Sequence, residues 1–216
     1  MLTHAIFDLD DTLYPQTSGL WDAIGERINL FMIDRLGLPP DEVKARRDLY
    51  FRSFGTTLKG LMRDFHVDPA DYLDFAHDLP LEQFIQPDPG LDAMLAALPL
   101  RKSIFTNADV KHARRVLNRL GIAQHFDTIV DIWALNFVNK PEPEAYQILL
   151  STLRAEASHC VFVEDSLRNL LPARAMGMTT IWISRNGTNG DVGFVVKNVG
   201  EVGPIVNDLL RGKPNG

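Results

Sequence analysis

Two aspartates follow a short apolar run near the start of the chain. Ala5-Ile6-Phe7 is apolar at every position, which is typical of a parallel strand covered on both faces. Asp8 and Asp10 come directly after it, and their spacing of two places both side chains on roughly one side of an extended chain. Burying two carboxylates is costly unless a cation neutralises them. The pair therefore predicts a divalent metal with a phosphate beside it.

Further polar clusters come just after predicted strands or in the loops that follow them. Ligands in an open parallel sheet bind at the carboxyl ends of the strands, so we expect these clusters to meet Asp8 and Asp10 at one site. The clusters are Thr106-Asn107 after the strand 102–105, Lys140-Pro141 in the loop after the strand 128–131, and Glu164-Asp165-Ser166 after the strand 161–163.

These residue types suit metal-assisted transfer of a phosphoryl group. A carboxylate can attack phosphorus and form an aspartyl-phosphate. Mg²⁺ prefers oxygen ligands and takes only a few from a protein, a number that Asp8 with Glu164 or Asp165 supplies. Asp10 is suited to protonate the departing oxygen and then to activate water. The predicted phosphate ligands are Thr106, Asn107 and Lys140.

Each cluster also has an ordinary structural interpretation. Thr106-Asn107 is a good helix-capping pair, and Glu164-Asp165 suits the N-terminus of a helix. The ordinary interpretation of Lys140 is a solvated lysine in a loop. We favour the functional interpretation because all the clusters occupy the positions that one site in a parallel sheet requires.

The segments between these clusters predict a two-part α/β architecture. Helical periodicity recurs between residues 15 and 87, where no strand pattern occurs. From residue 89 onward, strands and helices alternate, which predicts a Rossmann-like parallel sheet with helices on both faces. We therefore expect a core of residues 1–14 and 88–216 and a helical insertion of residues 15–87.

Composition limits the partners and the compartment. A net charge of −6 argues against binding to a nucleic acid polymer. The single cysteine, Cys160, excludes an intramolecular disulfide and fits a reducing compartment. No apolar run approaches the roughly 18–20 residues that span a bilayer, and no signal-peptide pattern precedes the first strand. We expect a cytoplasmic monomer or dimer that acts on a small molecule, with no membrane association.

Four motifs in this chain resemble the signature motifs of the haloacid dehalogenase-like hydrolases, in the same order. They are Asp8-Leu9-Asp10-Asp11-Thr12-Leu13, Phe105-Thr106-Asn107-Ala108, Lys140-Pro141 and Phe162-Val163-Glu164-Asp165-Ser166. The resemblance implies that Asp8 is the nucleophile and that Asp10 is the acid/base, with its backbone carbonyl also on Mg²⁺. It further implies that Asp165 binds the metal and that Glu164 does so directly or through water. An acid at Asp10 resembles the phosphatase branch.

The helical insertion, together with stretches before and after it, is similar to the pyrimidine 5′-nucleotidase group. The matching stretches are Tyr14-Pro15, Gly55 with Leu58-Lys59-Gly60-Leu61, Asp68-Pro69-Ala70-Asp71-Tyr72, Leu79-Pro80-Leu81 and Asp109-Val110-Lys111-His112-Ala113. The resemblance implies a helical cap that selects a pyrimidine nucleoside 5′-monophosphate. Glu164 departs from this pattern, because the group has Asp there.

Three side chains are candidate substrate contacts. Lys59 and Arg63 lie one helical turn apart; a solvated helix face is the ordinary interpretation, and cations reaching an anionic substrate are the alternative. Asn169 either contacts the phosphate or belongs to the start of a helix. The histidines show no ligand-like spacing, so we interpret His112 as structural or exposed and His77 as a surface residue.

Other functions remain open at this point. A phosphatase of sugar phosphates or other small metabolites differs only in its cap residues. A phosphomutase would return the phosphoryl group to a substrate hydroxyl. A binding protein on the same scaffold is disfavoured, because a scaffold without catalysis has no chemical reason to keep Asp8, Asp10, Lys140 and Asp165 together.

Overall fold

The computed structural model describes residues 1–184 and 192–212. The predicted core range 88–216 includes residues 185–191 and 213–216, which lie outside the described residues. The strands are β1 (His4–Phe7), β2 (Arg101–Phe105), β3 (Thr128–Val130), β4 (Cys160–Glu164), β5 (Thr179–Ile183) and β6 (Phe194–Val196). The α-helices are α1 (Leu20–Asp34), α2 (Pro40–Phe54), α3 (Thr57–Phe65), α4 (Pro69–Ala76), α5 (Pro89–Ala97), α6 (Val110–Leu120), α7 (Pro143–Leu153), α8 (Leu167–Ala175) and α9 (Val202–Leu210).

The six strands form one sheet in the order β3-β2-β1-β4-β5-β6, and every neighbouring pair is parallel. The predicted Rossmann-like α/β fold is therefore confirmed. Because β1 lies between β2 and β4, the strand order reverses around β1. A reversal of this kind opens a crevice at the carboxyl ends of the strands, where such folds bind their ligands.

The two central strands, β1 and β4, are buried at every residue. Their apolar side chains meet helices on both faces of the sheet, which explains why their sequences do not alternate. Phe7 of β1 pairs with Ile104 of β2 and Val163 of β4. This register brings Asp8, Thr106 and Glu164 to the same edge of the sheet.

Helices α1–α4, the inserted helices, lie between β1 and β2 in the chain and have an apolar cluster of their own. Phe31, Tyr50, Leu61 and Tyr72 belong to that cluster, and Ile132 from the segment after β3 joins it. Leu20 and Ile24 of α1 instead pack with the apolar side chains of the sheet. The inserted helices thus contact the sheet domain through α1 and through the segment after β3. Their assignment as a domain of residues 15–87 remains a prediction.

Among the described residues, none of the helices combines the length and the apolar character needed to cross a lipid bilayer.

Candidate active site

Asp8 lies at the centre of the carboxyl edge of the sheet, and both oxygens of its carboxylate accept hydrogen bonds. Oδ1 accepts from Lys140 Nζ at 2.5 Å, and Oδ2 accepts from Thr12 Oγ1 at 3.1 Å. The backbone N–H of Asp8 donates to the Val163 carbonyl of β4 at 2.9 Å. These bonds fix the position and the orientation of the carboxylate at the end of β1.

Lys140 is buried and donates to three acceptors. Its Nζ lies 2.5 Å from Asp8 Oδ1, 2.8 Å from Glu164 Oε2 and 2.9 Å from the Phe105 carbonyl oxygen. Burial lowers the pKa of Lys140, but the carboxylates of Asp8 and Glu164 raise it by more, so its pKa lies above the ordinary value. The ammonium group therefore stays charged between two buried acids.

The acids around Lys140 carry more negative charge than one ammonium can neutralise. Oxygens of Asp8, Glu164 and Asp165 all lie within 4.8 Å of one another. Burial first, and then neighbouring carboxylates, raise the pKa of Asp8 and of Glu164 to about 7 and that of Asp165 to about 6. Such a cluster of hard oxygen donors fits Mg²⁺, because a divalent cation would offset the remaining charge and allow the acids to ionise.

Glu164 and Asp165 have different environments within this cluster. The Glu164 carboxylate accepts from Lys140 Nζ, from Asn169 Nδ2 at 3.1 Å and from the Ser166 N–H at 3.1 Å. Asp165 accepts from Thr12 Oγ1 at 3.3 Å. Glu164 is thus committed to holding Lys140, which leaves Asp165 as the better placed of the two to bind a metal. Asn169, a candidate substrate contact, touches Glu164.

Thr12 links the first and last clusters of the site. Its hydroxyl lies 3.1 Å from Asp8 Oδ2 and 3.3 Å from Asp165 Oδ1, and it accepts from the Asp165 N–H at 3.1 Å. The single hydroxyl therefore fixes the spacing of two acids that are 157 positions apart in the chain.

The two residues after β2 occupy different positions relative to the site. Thr106 is buried, and its Oγ1 accepts from the Ala108 N–H at 3.0 Å. The Asn107 side chain instead binds the main chain of Lys140: Oδ1 accepts from the Lys140 N–H at 2.8 Å, and Nδ2 donates to the Lys140 carbonyl at 3.1 Å. Asn107 thereby orients the segment that delivers Lys140.

Asp10 lies beside the cluster of Asp8, Glu164 and Asp165 and has hydrogen-bond partners of its own. Its Oδ1 accepts from Tyr14 Oη at 2.6 Å and from His112 Nε2 at 2.9 Å. Burial raises the pKa of Asp10, but the nearby His112 and Tyr14 lower it by more, so its pKa lies below the ordinary value. Asp10 is therefore a carboxylate in this arrangement, the form that accepts a proton.

Of two histidines near Asp10, His77 departs from its predicted place, whereas His112 agrees with the structural one of its two predicted interpretations. Only 11% of the His77 side chain is exposed, so its interpretation as a surface residue is wrong. The His112 side chain is fully buried and contacts Asp10. Helical spacing offers one signal for its burial, because His112 shares a face of α6 with Val116 and Leu120. No sequence pattern indicates its partner.

The candidate cations of the inserted helices are both paired. Lys59 forms an ion pair with Glu142, which lies two residues after Lys140. Arg63 forms an ion pair with Asp64 at 2.6 Å, and 62% of its side chain is exposed. Lys59 thus connects α3 to the segment that carries Lys140, whereas Arg63 lies on the surface of the inserted helices.

The turn between α2 and α3 packs against the same segment. Asn139 is fully buried, and its Nδ2 donates to the Phe54 carbonyl at 2.9 Å. Gly55 follows with a φ of +84°, and a Cβ atom there would lie 2.6 Å from the Lys140 carbonyl oxygen. The inserted helices therefore contact the main chain of Lys140 directly.

Comparison with known proteins gives one family and several relatives. The sequence model of the haloacid dehalogenase-like hydrolases matches residues 2–177. Phosphoglycolate phosphatase of Rhodospirillum rubrum is 32% identical over 202 residues, which cover 83% of this chain and 78% of that protein. Phosphate metabolism protein 8 of Saccharomyces cerevisiae is 29% identical over 187 residues, which cover 80% of this chain. The chain spans only 58% of the length of the yeast protein.

A solved structure shares the fold. L-2-haloacid dehalogenase from Xanthobacter autotrophicus superimposes with a TM-score of 0.60 at 19% identity, and the match covers 96% of this chain and 99% of that one. At this identity the similarity establishes the fold alone, and the reaction has to be inferred from the residues of the site.

Proposed function

The chain belongs to the haloacid dehalogenase-like hydrolases, and we propose that within this family it is a Mg²⁺-dependent phosphomonoesterase that uses Asp8 as its nucleophile. The observation that carries the proposal is the charge balance around Asp8. Three carboxylates cluster at this edge of the sheet, and two of them bind the same buried ammonium group, that of Lys140. In phosphoryl transfer a bound metal can neutralise the phosphate oxygens, and such an excess of acids suits a metal in that role.

Asp10 supports phosphoryl transfer over dehalogenation. Displacing a halide requires no proton, because the halide departs as a stable anion. An alkoxide leaving a phosphate does require one, and Asp10 is a carboxyl group two residues from the nucleophile. Its position in the buried hydrogen-bonded pair with His112 suits a group that moves a proton repeatedly.

The proposed reaction has two steps. A carboxylate oxygen of Asp8 attacks phosphorus, the bond from phosphorus to the ester oxygen breaks, and Asp10 gives its proton to the leaving alcohol. Water then attacks the phosphorus of the aspartyl-phosphate, and Asp10 takes a proton from that water. The bond from phosphorus to the Asp8 oxygen breaks, which releases inorganic phosphate and restores the Asp8 carboxylate. The negative charge of a bound substrate raises the pKa of Asp10, which favours the protonated form that the first step needs.

Mg²⁺, when bound, would neutralise the phosphate oxygens and orient the phosphoryl group for in-line attack. Asp8 and Asp165 are the proposed side-chain ligands, with the backbone carbonyl of Asp10, and Glu164 would act through Lys140 or through water. Thr106 is the proposed phosphate ligand, Lys140 would add its fixed positive charge beside the phosphate oxygens, and Asn107 would orient Lys140.

We further propose residues 15–87 as a cap over this site and a pyrimidine nucleoside 5′-monophosphate as the substrate. Support for this substrate comes from the resemblance of the insertion to the pyrimidine 5′-nucleotidase group. Phosphoglycolate is the second candidate, because the relative named for that activity is 32% identical over most of both chains. The ion pair between Lys59 and Glu142 places one of the candidate substrate contacts beside the Lys140 segment.

Phosphate release from a panel of esters tests the proposal. The panel contains UMP, CMP, AMP, phosphoglycolate and glucose 6-phosphate, each with Mg²⁺ and with EDTA. We expect the highest kcat/KM for UMP or CMP and no release with EDTA. A preference for phosphoglycolate would replace the substrate and retain the mechanism.

The variant Asp8→Asn tests the nucleophile. An amide in place of the carboxylate is a poor nucleophile, so we expect kcat to fall by at least about 1,000-fold. The melting temperature provides the folding control. Phosphate release near the wild-type rate would remove Asp8 from its proposed role.

A further inference from the structure

We infer that His112 positions the Asp10 carboxylate for proton transfer, and that His77 ties this position to the chain segment returning from the inserted helices. This inference rests on the proposed function, because it takes Asp10 as the acid/base. His112 would act through Asp10 and is therefore a positioning residue.

The hydrogen bonds to Asp10 leave one of its oxygens for the reaction. Tyr14 Oη and His112 Nε2 both donate to Oδ1, at 2.6 Å and 2.9 Å. No side chain or main-chain group of the described residues donates to Oδ2. Two donors on the same oxygen fix the plane of the carboxylate, so Oδ2 keeps a defined direction while remaining free to carry the proton.

The hydrogen on His112 Nε2 follows from its partners. Nε2 faces a carboxylate, so it must carry the hydrogen for a bond to form. Nδ1 of the same ring is buried and has no partner among the described residues. An unpaired buried nitrogen destabilises the folded state, and the hydrogen bond from Nε2 to Asp10 offsets part of that cost. Among the described residues, the contact with Asp10 is therefore the one hydrogen bond that the His112 ring forms.

His77 holds the His112 ring from the other side. The two imidazole rings stack with centroids 4.1 Å apart and planes 17° apart. His77 Nδ1 contacts Asp109 Oδ1 at 2.9 Å, and Asp109 caps α6 by accepting from the His112 N–H at 3.4 Å. The His112 ring is thus fixed by its own helix, by the stacked ring and by Asp10.

The chain passes between the sheet and the inserted helices twice, and each crossing carries a residue linked to Asp10. Tyr14 contacts Asp10 directly, and His77 is linked to it through His112. Tyr14 lies where the chain enters the inserted helices, and His77 follows α4, where the chain returns. Arg115 of α6 donates to the His77 carbonyl at 2.6 Å and to the Leu79 carbonyl at 2.5 Å, which fastens the return segment to the same helix as His112. A movement of the inserted helices would therefore shift the groups that hold the Asp10 carboxylate in place.

A pair of esters with different leaving groups tests the inference. Phenyl phosphate and p-nitrophenyl phosphate have similar shapes, but p-nitrophenolate departs with little help from an acid. The ratio kcat/KM reports the step in which the leaving group departs. For His112→Ala we expect kcat/KM to fall about 100-fold with phenyl phosphate and about 10-fold or less with p-nitrophenyl phosphate. KM should stay near the wild-type value.

Further variants separate positioning from folding. His112→Gln retains an N–H near the position of Nε2, so we expect it to recover most of the lost kcat/KM for phenyl phosphate, and it keeps the test open if His112→Ala fails to fold. Tyr14→Phe and His77→Ala should show the same dependence on the leaving group with smaller losses. His4→Gln is the matched control, because His4 is also buried with an unpartnered ring nitrogen but lies at the start of β1, outside the site.

Equal losses for both esters in the His112 variants, or wild-type kcat/KM in them, would overturn the inference while Asp8→Asn still supports the proposed function. If the wild-type protein hydrolyses neither ester and none of the panel, the proposed function fails and this inference fails with it.

Discussion

Gly55 offers the sharpest test of how the inserted helices act on Lys140, a proposed site residue. We predict that Gly55→Ala reduces both stability and kcat. The added Cβ would lie 2.3 Å from Asn139 Nδ2, 2.6 Å from the Lys140 carbonyl oxygen and 3.2 Å from Pro141 Cδ. Side chains can rotate away from such a contact, but a backbone carbonyl cannot. The turn between α2 and α3 and the Lys140 segment must therefore separate.

The predicted loss of folding free energy in Gly55→Ala has two parts. A residue with a Cβ at the φ of +84° costs roughly 1–2 kcal/mol of folding free energy because of the left-handed backbone. Overpacking against the Lys140 segment adds about 1–3 kcal/mol. Each kcal/mol lowers the melting temperature of a chain of this size by about 2–4 °C.

We expect the activity of Gly55→Ala to fall because the clash with the Lys140 main chain lies close to the Lys140 ammonium group. The Lys140 carbonyl and the Lys140 ammonium belong to one residue, and the ammonium contacts Asp8 at 2.5 Å. A displacement on the order of 1 Å at a catalytic group lowers the rate about 100-fold, so we expect kcat to fall about 10- to 100-fold. Thermal unfolding and steady-state phosphate release measure the two effects.

Gly37→Ala is the matched control. Gly37 also has a positive φ, +66°, but nothing lies within 4 Å of its Cβ position. It follows α1 within the inserted helices, so the variant carries the backbone strain without the clash. We expect a loss of roughly 1–2 kcal/mol with kcat unchanged. If Gly55→Ala matches Gly37→Ala in melting temperature and keeps kcat within about threefold, the reasoning about the Lys140 segment is refuted.

Two further predictions concern charge. Mg²⁺ at about 100 times its Kd should raise the melting temperature of EDTA-treated protein by about 5–10 °C, because the ion binds only the folded acid cluster, and Asp165→Asn should lose most of this gain. An equal gain in the variant would place the ion elsewhere. Lys59→Met should cost less than about 1 kcal/mol in urea unfolding, because 35% of the Lys59 side chain and 40% of the Glu142 side chain are exposed. A loss above about 2 kcal/mol would contradict this small contribution of the ion pair to stability. An unchanged KM of Lys59→Met for UMP would count against Lys59 as a substrate contact.

The sheet was predictable from the sequence because its central strands carry a strong signal. β1 and β4 contain apolar runs without alternation, Ala5-Ile6-Phe7 and Val161-Phe162-Val163, and such short runs are typical of strands buried on both faces. Parallel pairing then predicts that residues following the strands share one edge. For this reason Asp8, Lys140 and Asp165 could be placed together from their positions in the chain.

The partners of individual site residues could not be predicted in the same way. Asn107 was expected to bind phosphate, yet its side chain is occupied by the Lys140 main chain. His77 and His112 come from a return segment and from α6, and their stacking depends on how α4 ends. Contacts of this kind arise from packing between elements that are distant in the chain, and no local period encodes them.

The central place of β1 has a consequence for biosynthesis. β1 is translated before the other strands of this sheet, yet it pairs with β2 from residue 101 and with β4 from residue 160. At about 5–20 residues per second, its second neighbour is made roughly 8–30 s later. During that interval at least one edge of the Ala5-Ile6-Phe7 run lacks its partner strand, and an unpaired edge is a site at which other chains can associate. The helices translated between β1 and β2 are the first part of the chain available to shield it.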